Sequence, residues 1–194
     1  MSIAKVAYKS IANKGINKMK YLIAGLGNPG EKYKETRHNV GARVLGEFGR
    51  KNKNKKLTLL APITFMNRSG EAIGKLIKSK LAAGKLVVIH DDLDLPFGRF
   101  KISFGRGAGG HRGVESIIRK LKTESFIRLR IGIAPTTPAG KIKKPQGEDR
   151  IVKFILGKFT SKEETGLKKL MPQLVEALEI ITTAGPAPAM NQFN

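Results

Sequence analysis

Three histidines punctuate this chain, and each is embedded among glycines, amides or carboxylates. They are His38 in Thr36-Arg37-His38-Asn39, His90 in His90-Asp91-Asp92-Leu93-Asp94, and His111 in Gly109-Gly110-His111-Arg112-Gly113. Histidine is the side chain best suited to moving protons near neutral pH. The three segments read as loops, and catalytic groups gather on loops carried by a rigid scaffold. His38 is expected at the start of a helix, where a protonated imidazole is disfavoured. A neutral ring there can take a proton from water. Asp91 follows a buried strand and is expected to orient His38, as carboxylates orient other catalytic histidines. The crowding of Asp91, Asp92 and Asp94 beside His90 has two rival readings, a hard-cation site and a plain turn. No second acidic cluster is present to complete an oxygen shell, so no metal is expected.

Two asparagines complete the constellation. Asn28 lies in a glycine-rich turn, and its amide can both donate and accept. Asn67 lies between a strand and a helix, where an amide can donate to a developing oxyanion. The alternative at that place is helix capping by Asn67 or Ser69. The segment Gly105–Gly110 leads through His111 into a helix, with Arg99, Lys101, Arg106 and Arg112 around it. Small residues before a helix N-terminus allow a phosphate backbone to approach, and a flexible connection is the plainer reading.

Gly25-Leu26-Gly27-Asn28-Pro29-Gly30 has the spacing of a dinucleotide-binding turn. Three features oppose that reading. Pro29 lacks a backbone donor where phosphate would dock. The helix begins about eight residues too late for the fingerprint. The next strand leads to Ala61-Pro62 rather than to an acid. No nicotinamide or flavin cofactor is expected, and the glycines are expected to serve a tight turn with unusual backbone angles.

The chain has 194 residues, enough for one domain with a core, and its hydrophobic content of 40% argues against wholesale disorder. Lysine and arginine total 37 against 15 acids, a net charge of +22. Such an excess attracts polyanions, and nucleic acid is the expected partner. There are no cysteines, which removes disulfides, thiolate catalysis and cysteine-based zinc sites. A reducing cytoplasm fits. No apolar run reaches the roughly 20 residues of a membrane span.

The elements that must position these residues follow from periodicity. Residues 1–19 form a basic N-terminal extension with lysines and isoleucines at roughly helical spacing. It has three readings: an amphipathic helix, a targeting segment, or a frayed extension before Met19. Residues 20–194 are expected to form the catalytic domain. Strands are expected at Tyr21–Ala24, Leu57–Leu60, Leu86–Ile89, Phe100–Phe104 and Ile127–Ile133. Helices are expected at His38–Arg50, Ser69–Lys80, Arg112–Leu121, Glu148–Leu156 and Lys162–Thr182, the last ended by Gly185-Pro186-Ala187-Pro188. Lys51–Lys56 reads as a basic linker and Ala134–Gly147 as an exposed mobile loop. Alternating strands and helices give an α/β class with a largely parallel sheet, whose functional loops gather at the strands' carboxyl ends.

Taken together, the motifs closely resemble the bacterial peptidyl-tRNA hydrolase family. The matching stretches are residues 25–41 (GLGNPGEKYKETRHNVG), 64–70 (TFMNRSG), 90–98 (HDDLDLPFG), 107–113 (GAGGHRG) and 129–133 (LRIGI). The ending 189–194 (AMNQFN) is similar as well. The resemblance runs from about Tyr21 to the end. It implies a single domain with a twisted, mostly parallel mixed sheet and helices on both faces. It implies hydrolysis of the ester joining a peptide to the 3′ end of tRNA, recycling tRNA lost from ribosomes, by a cytoplasmic monomer without metal or organic cofactor. His38 matches the catalytic base, and Asp91 the carboxylate that bonds it. Asn28 and Asn67 match the amides that hold the scissile ester. Tyr33, Phe65, Asp94, His111 and Arg112 match substrate-binding positions of the cleft. Lys101 and Arg130 match basic positions on the acceptor stem, and Arg106 joins them by its charge.

Three departures stand out. Arg112 occupies a position that is usually asparagine in the family, exchanging an amide contact for a possible phosphate contact. Ser103 replaces a second basic position. The segment before Leu57 is short, with room for one strand fewer. The rival reading is a non-catalytic RNA-binding relative of the same fold, associated with ribosomes or splicing. An oxidoreductase is a remote third.

Overall fold

The computed structural model describes residues 21–52 and 57–194. The basic extension 1–19 and most of the lysine-rich linker lie outside the described residues. Among the described residues five strands form one sheet in the order β2-β1-β3-β5-β4. They are β1 (Leu22–Gly25), β2 (Thr58–Leu60), β3 (Leu86–Pro96), β4 (Phe100–Phe104) and β5 (Ile127–Ala134). The pairs β1–β2, β1–β3 and β3–β5 are parallel, and β4 closes the edge antiparallel to β5. This is the mostly parallel mixed sheet expected.

β1 and the Leu86–Ile89 half of β3 are buried along their whole length. That burial on both faces explains why their sequences are continuous apolar runs rather than alternating ones. On one face Ile23, Val87, Ile89 and Leu129 pack with α1 (Val40–Lys51), α6 (Ser161–Ala184) and α7 (Pro186–Phe193). On the other, Leu22, Ala24 and Val88 meet Ile73 of α2 (Ser69–Leu76) and Val114 and Ile117 of α4 (Arg112–Leu121). Helices therefore cover both faces.

Three expectations need correction. β3 does not stop at Ile89 but continues to Pro96, so His90, Asp91, Asp92 and Asp94 belong to a strand and not to a loop. The cause is pairing: β5 offers partners through His90↔Arg130, Asp91↔Ile131 and Asp92↔Gly132, with a register shift beyond Asp92. Cross-strand pairing overrides the poor strand propensity of aspartate. The helix from Ser69 ends at Leu76, because Ile77 is extended and Ser79 caps a separate turn, α3 (Lys80–Ala83), by accepting the Ala82 N–H at 3.1 Å. Finally, Gly185-Pro186 does not close the helical part of the chain. Gly185 ends α6, and Pro186 opens α7 at the first helical position, where its missing N–H costs nothing.

The glycines at 25–30 also differ from expectation. Only Gly30 has a positive φ, 102°. The others serve close approach instead. A Cβ on Gly25 would lie 2.5 Å from the Gly41 carbonyl oxygen, and one on Gly41 would lie 2.2 Å from the Ile89 oxygen. α1 thus sits directly on the backbone of β1 and β3, which fixes the height of the turn that precedes it. Gly41→Ala is expected to destabilise the fold by roughly 1–3 kcal/mol through overpacking, read as a lowered midpoint in urea denaturation.

Candidate active site

The carboxyl ends of β1 and β3 bring together three connections. After β1 the chain passes Asn28, a short 3-10 turn at Glu31–Tyr33, and a second at Arg37–Asn39 that leads into α1. Asn39 holds Asn28 in place: its Oδ1 accepts the Asn28 N–H and its Nδ2 donates to the Asn28 oxygen, both at 2.9 Å. The Asn28 side-chain oxygen accepts the Met66 N–H at 2.8 Å. A backbone N–H only donates, so the oxygen end of this amide is committed and its NH2 end is left as a donor. Asn28 lines the cleft with that donor available. Residue type alone gives Asn39 no role in the sequence. Its only signal is its place directly after His38.

Asn67 follows Met66 in a 3-10 turn at Met66–Arg68 and also lines the cleft, exposed. It does not cap α2, which has no side-chain cap. Ser69 instead donates its hydroxyl proton to the Met66 oxygen at 2.8 Å.

His38 and Asp91 meet in the interior. His38 Nδ1 lies 2.9 Å from Oδ1 and 3.0 Å from Oδ2 of Asp91. An ionised carboxylate only accepts, so Nδ1 carries a proton, and the lone pair of the ring, when it is free, lies on Nε2. His111 is the second partner of the same carboxylate, its Nε2 2.9 Å from Asp91 Oδ1. His111 stands at the N-cap of α4, and its Nδ1 accepts the N–H groups of Gly113 and Val114 at 3.2 and 3.3 Å. That commitment fixes the tautomer: Nε2 bears the hydrogen and donates to Asp91. The glycine-loop histidine is thus a ligand of Asp91 as well as a lining residue of the cleft. Burial alone would push the Asp91 carboxyl up, but the facing His38 and His111 rings outweigh it and hold the group far below the usual carboxylate range.

All three histidines form one cluster, with the His111 ring tilted against His38 and edge-on to His90. The His111 ring centroid lies 4.9 Å from that of His38 and 4.7 Å from that of His90. His90 is fully buried, and its Nδ1–H donates to the Asp91 carbonyl at 2.6 Å. Burial and, secondarily, the neighbouring His111 push the His90 imidazole well below the usual histidine range, so it stays neutral.

The remaining acids are engaged. Asp92 accepts Arg130 Nε and the Asp94 N–H, both at 2.7 Å. Asp94 is exposed and pairs with Lys144. His38, Asp91 and His111 place three potential metal-ligating atoms within 4.8 Å of one another. Those atoms are already matched as donors and acceptor at 2.9 Å, so an ion would have to displace both protons.

The cleft has a volume of about 570 Å³. One end is polar, with Asn28, His38, Asp91 and His111. The other is apolar, with Ile151, Val152, Ile155 and Leu156 of and just after α5 (Glu148–Ile155). Phe65 lines it at 55% exposure, and Tyr33 packs edge-on behind Phe65 at 6.5 Å between centroids. Arg112 pairs with Glu148 across the mouth. Lys101 and Arg130 face each other across β4 and β5, and Arg130 is one strand from His90. Lys101 and Arg106 are exposed.

A family described as peptidyl-tRNA hydrolase matches residues 22–194. The chain belongs to the peptidyl-tRNA hydrolase family. A curated peptidyl-tRNA hydrolase of Syntrophotalea carbinolica is 38% identical over 193 residues, covering 89% of this chain and 96% of the relative. One from Trichodesmium erythraeum is 39% identical, covering 89% and 87%. The crystal structure of the Acinetobacter baumannii peptidyl-tRNA hydrolase superposes with a TM-score of 0.76 at 29% identity, covering 91% of this chain and 96% of that one. At the cleft mouth a cation and an acid face each other. There Arg112 reaches Glu148 on the opposite wall, so its guanidinium is occupied by an acid until a stronger anion competes.

Proposed function

We propose that this chain hydrolyses the ester between a peptide and the 3′ end of tRNA, with His38 as the base. The observation that carries the reading is the fixed tautomer of His38: Nδ1–H on Asp91, Nε2 free in a cleft that also holds the Asn28 donor. Nε2 takes a proton from water while the water oxygen attacks the ester carbonyl. The Asn28 and Asn67 amides donate to the developing oxyanion. When the intermediate collapses, the C–O bond to the ribose breaks and the proton on His38 passes to the leaving oxygen. Peptide acid and free tRNA result. Asp91 stays ionised and stabilises the transient imidazolium, as in other histidine–carboxylate pairs.

The acceptor stem is assigned to the edge strand β4 and its neighbour β5, which carry Lys101 and Arg130, with Arg106 beside them. Phe65, Tyr33, Asp94, His111 and Arg112 surround the ester and peptide. The reading places the enzyme in the cytoplasm as a monomer. The lack of cysteines supports that compartment. Among the described residues no helix is long and apolar enough to cross a membrane.

Purified N-acetylaminoacyl-tRNA tests the reaction. Release of the acyl group with turnover is expected, and tRNA binding without release favours a non-catalytic RNA-binding relative instead. Binding is expected to weaken on the order of tenfold or more when salt rises from about 50 to 200 mM. Lys101→Ala and Arg130→Ala are each expected to raise KM with little change in kcat. Equal affinity across that salt range contradicts the assigned phosphate contacts.

A further inference from the structure

Arg37 precedes the base in the chain and is nearly as buried, with 8% of its surface exposed. Its backbone and its side chain lead to one corner, the junction of α5 and α6. The Arg37 N–H donates to the Gly157 oxygen at 3.0 Å, and Thr36 bridges to Lys158. Nη1 donates to the Phe154 oxygen at 3.3 Å, and Nη2 to Glu163 Oε2 at 2.7 Å. The guanidinium carbon lies 4.4 Å from the Phe154 ring centroid and 5.5 Å from that of Phe159. Gly157 leaves no slack, since a Cβ there would stand 3.1 Å from Nη1.

This arrangement is a poor device for stability alone. The buried cation meets a single carboxylate besides the Phe154 carbonyl and the two rings, and that carboxylate oxygen is shared: Glu163 Oε2 also accepts the Thr160 N–H at 2.7 Å in the capping box of α6. Arg37 Nε is buried with no partner. Buried ion pairs commonly lose to apolar residues of the same volume, and an unpaired buried donor adds cost. What the side chain does achieve is geometric. Its own turn carries His38, while α5 presents Ile151, Val152 and Ile155 to the opposite side of the cleft. Phe154, on the same helix, turns instead to the guanidinium.

We propose that Arg37 is a positioning residue that sets the placement of the His38 ring relative to the apolar α5 wall, so that an ester whose peptide lies on that wall meets the base in line. The proposal rests on the hydrolysis described above. A displacement of about 1 Å in such an alignment costs on the order of 100-fold in rate.

The test is steady-state hydrolysis of a peptidyl-tRNA, with rates taken per folded molecule. Arg37→Met fills the space between the two phenylalanines but bonds nothing. It is expected to lower kcat by about 10- to 100-fold with KM within about threefold. Arg37→Lys, which keeps the charge but not the fork, is expected between it and the wild type. Leu174→Ala, a core change in α6 remote from the turn, controls for lost stability and is expected to keep kcat. Should Arg37→Met not fold, Arg37→Lys and Glu163→Gln carry the same test, each expected to lower kcat rather than raise KM. The proposal is overturned if these variants match the wild type, if their loss lies in KM, or if Leu174→Ala loses as much kcat. An inactive wild-type protein would overturn the hydrolase reading instead, before any Arg37 variant is compared.

Discussion

His38→Ala is expected to reduce kcat for peptidyl-tRNA by about 10³-fold, within the usual range for removing a positioned general base, while tRNA affinity stays within a factor of about three. The two effects separate because the ring and the basic edge are different surfaces. His38 is buried at the polar end of the cleft, whereas Lys101 and Arg106 are exposed on and beyond β4. Active-site-normalised turnover and filter binding on the same preparation check this. A variant that keeps a tenth of wild-type kcat would remove His38 from the role of base, and one that fails to bind tRNA would show that the substitution acts on the fold.

Asp91→Asn is expected to cost nearly as much, on the order of 10²- to 10⁴-fold in kcat, although the substitution changes little volume. The reason is the proton on His38. His111 has committed Nδ1 to two backbone donors, so its Nε2–H must keep an acceptor at position 91. The introduced amide offers its oxygen to His111 and its NH2 group to His38 Nδ1, which stands 2.9 and 3.0 Å from the two carboxylate oxygens. A donor facing Nδ1 forces the hydrogen onto Nε2, and the nitrogen facing water can no longer accept. The same substitution has a signature in stability. The Asp91 carboxyl is held low by the two histidines, so its contribution is present above the ordinary carboxylate value and is lost as pH falls through the lowered one. The wild type should therefore lose stability on acidification, and Asp91→Asn should show a flatter acid limb in denaturant titrations. An unchanged limb would mean that Asp91 is not the group being titrated.

Much of this site was legible in the sequence, because its residues sit beside strong local signals. Asn28 follows an apolar run that ends in glycine, His38 precedes an amphipathic helix, and Arg112–Leu121 reads as a helix from its periodicity and forms one with those bounds. Most of what stayed hidden depends on contacts between distant segments. The length of β3 is set by β5, more than thirty residues later, so two aspartates that favour turns, Asp91 and Asp92, become part of a ladder. The break after Leu76 depends on Ser79 finding the Ala82 N–H, a local bond that periodicity does not register. The Asn39 clamp and the His111–Asp91 bond link positions 11 and 20 residues apart through side-chain atoms. Residue type suggested such partners, and only the fold selects among them.

Mounting Asp91 in a strand rather than a loop has a consequence for how this molecule tolerates change. The carboxylate that holds the His38 ring is tied to a backbone lattice that surface edits do not reach. Residues around it are then at liberty to vary without moving that carboxylate. Change can accumulate along the rim while the geometry at the centre keeps its place.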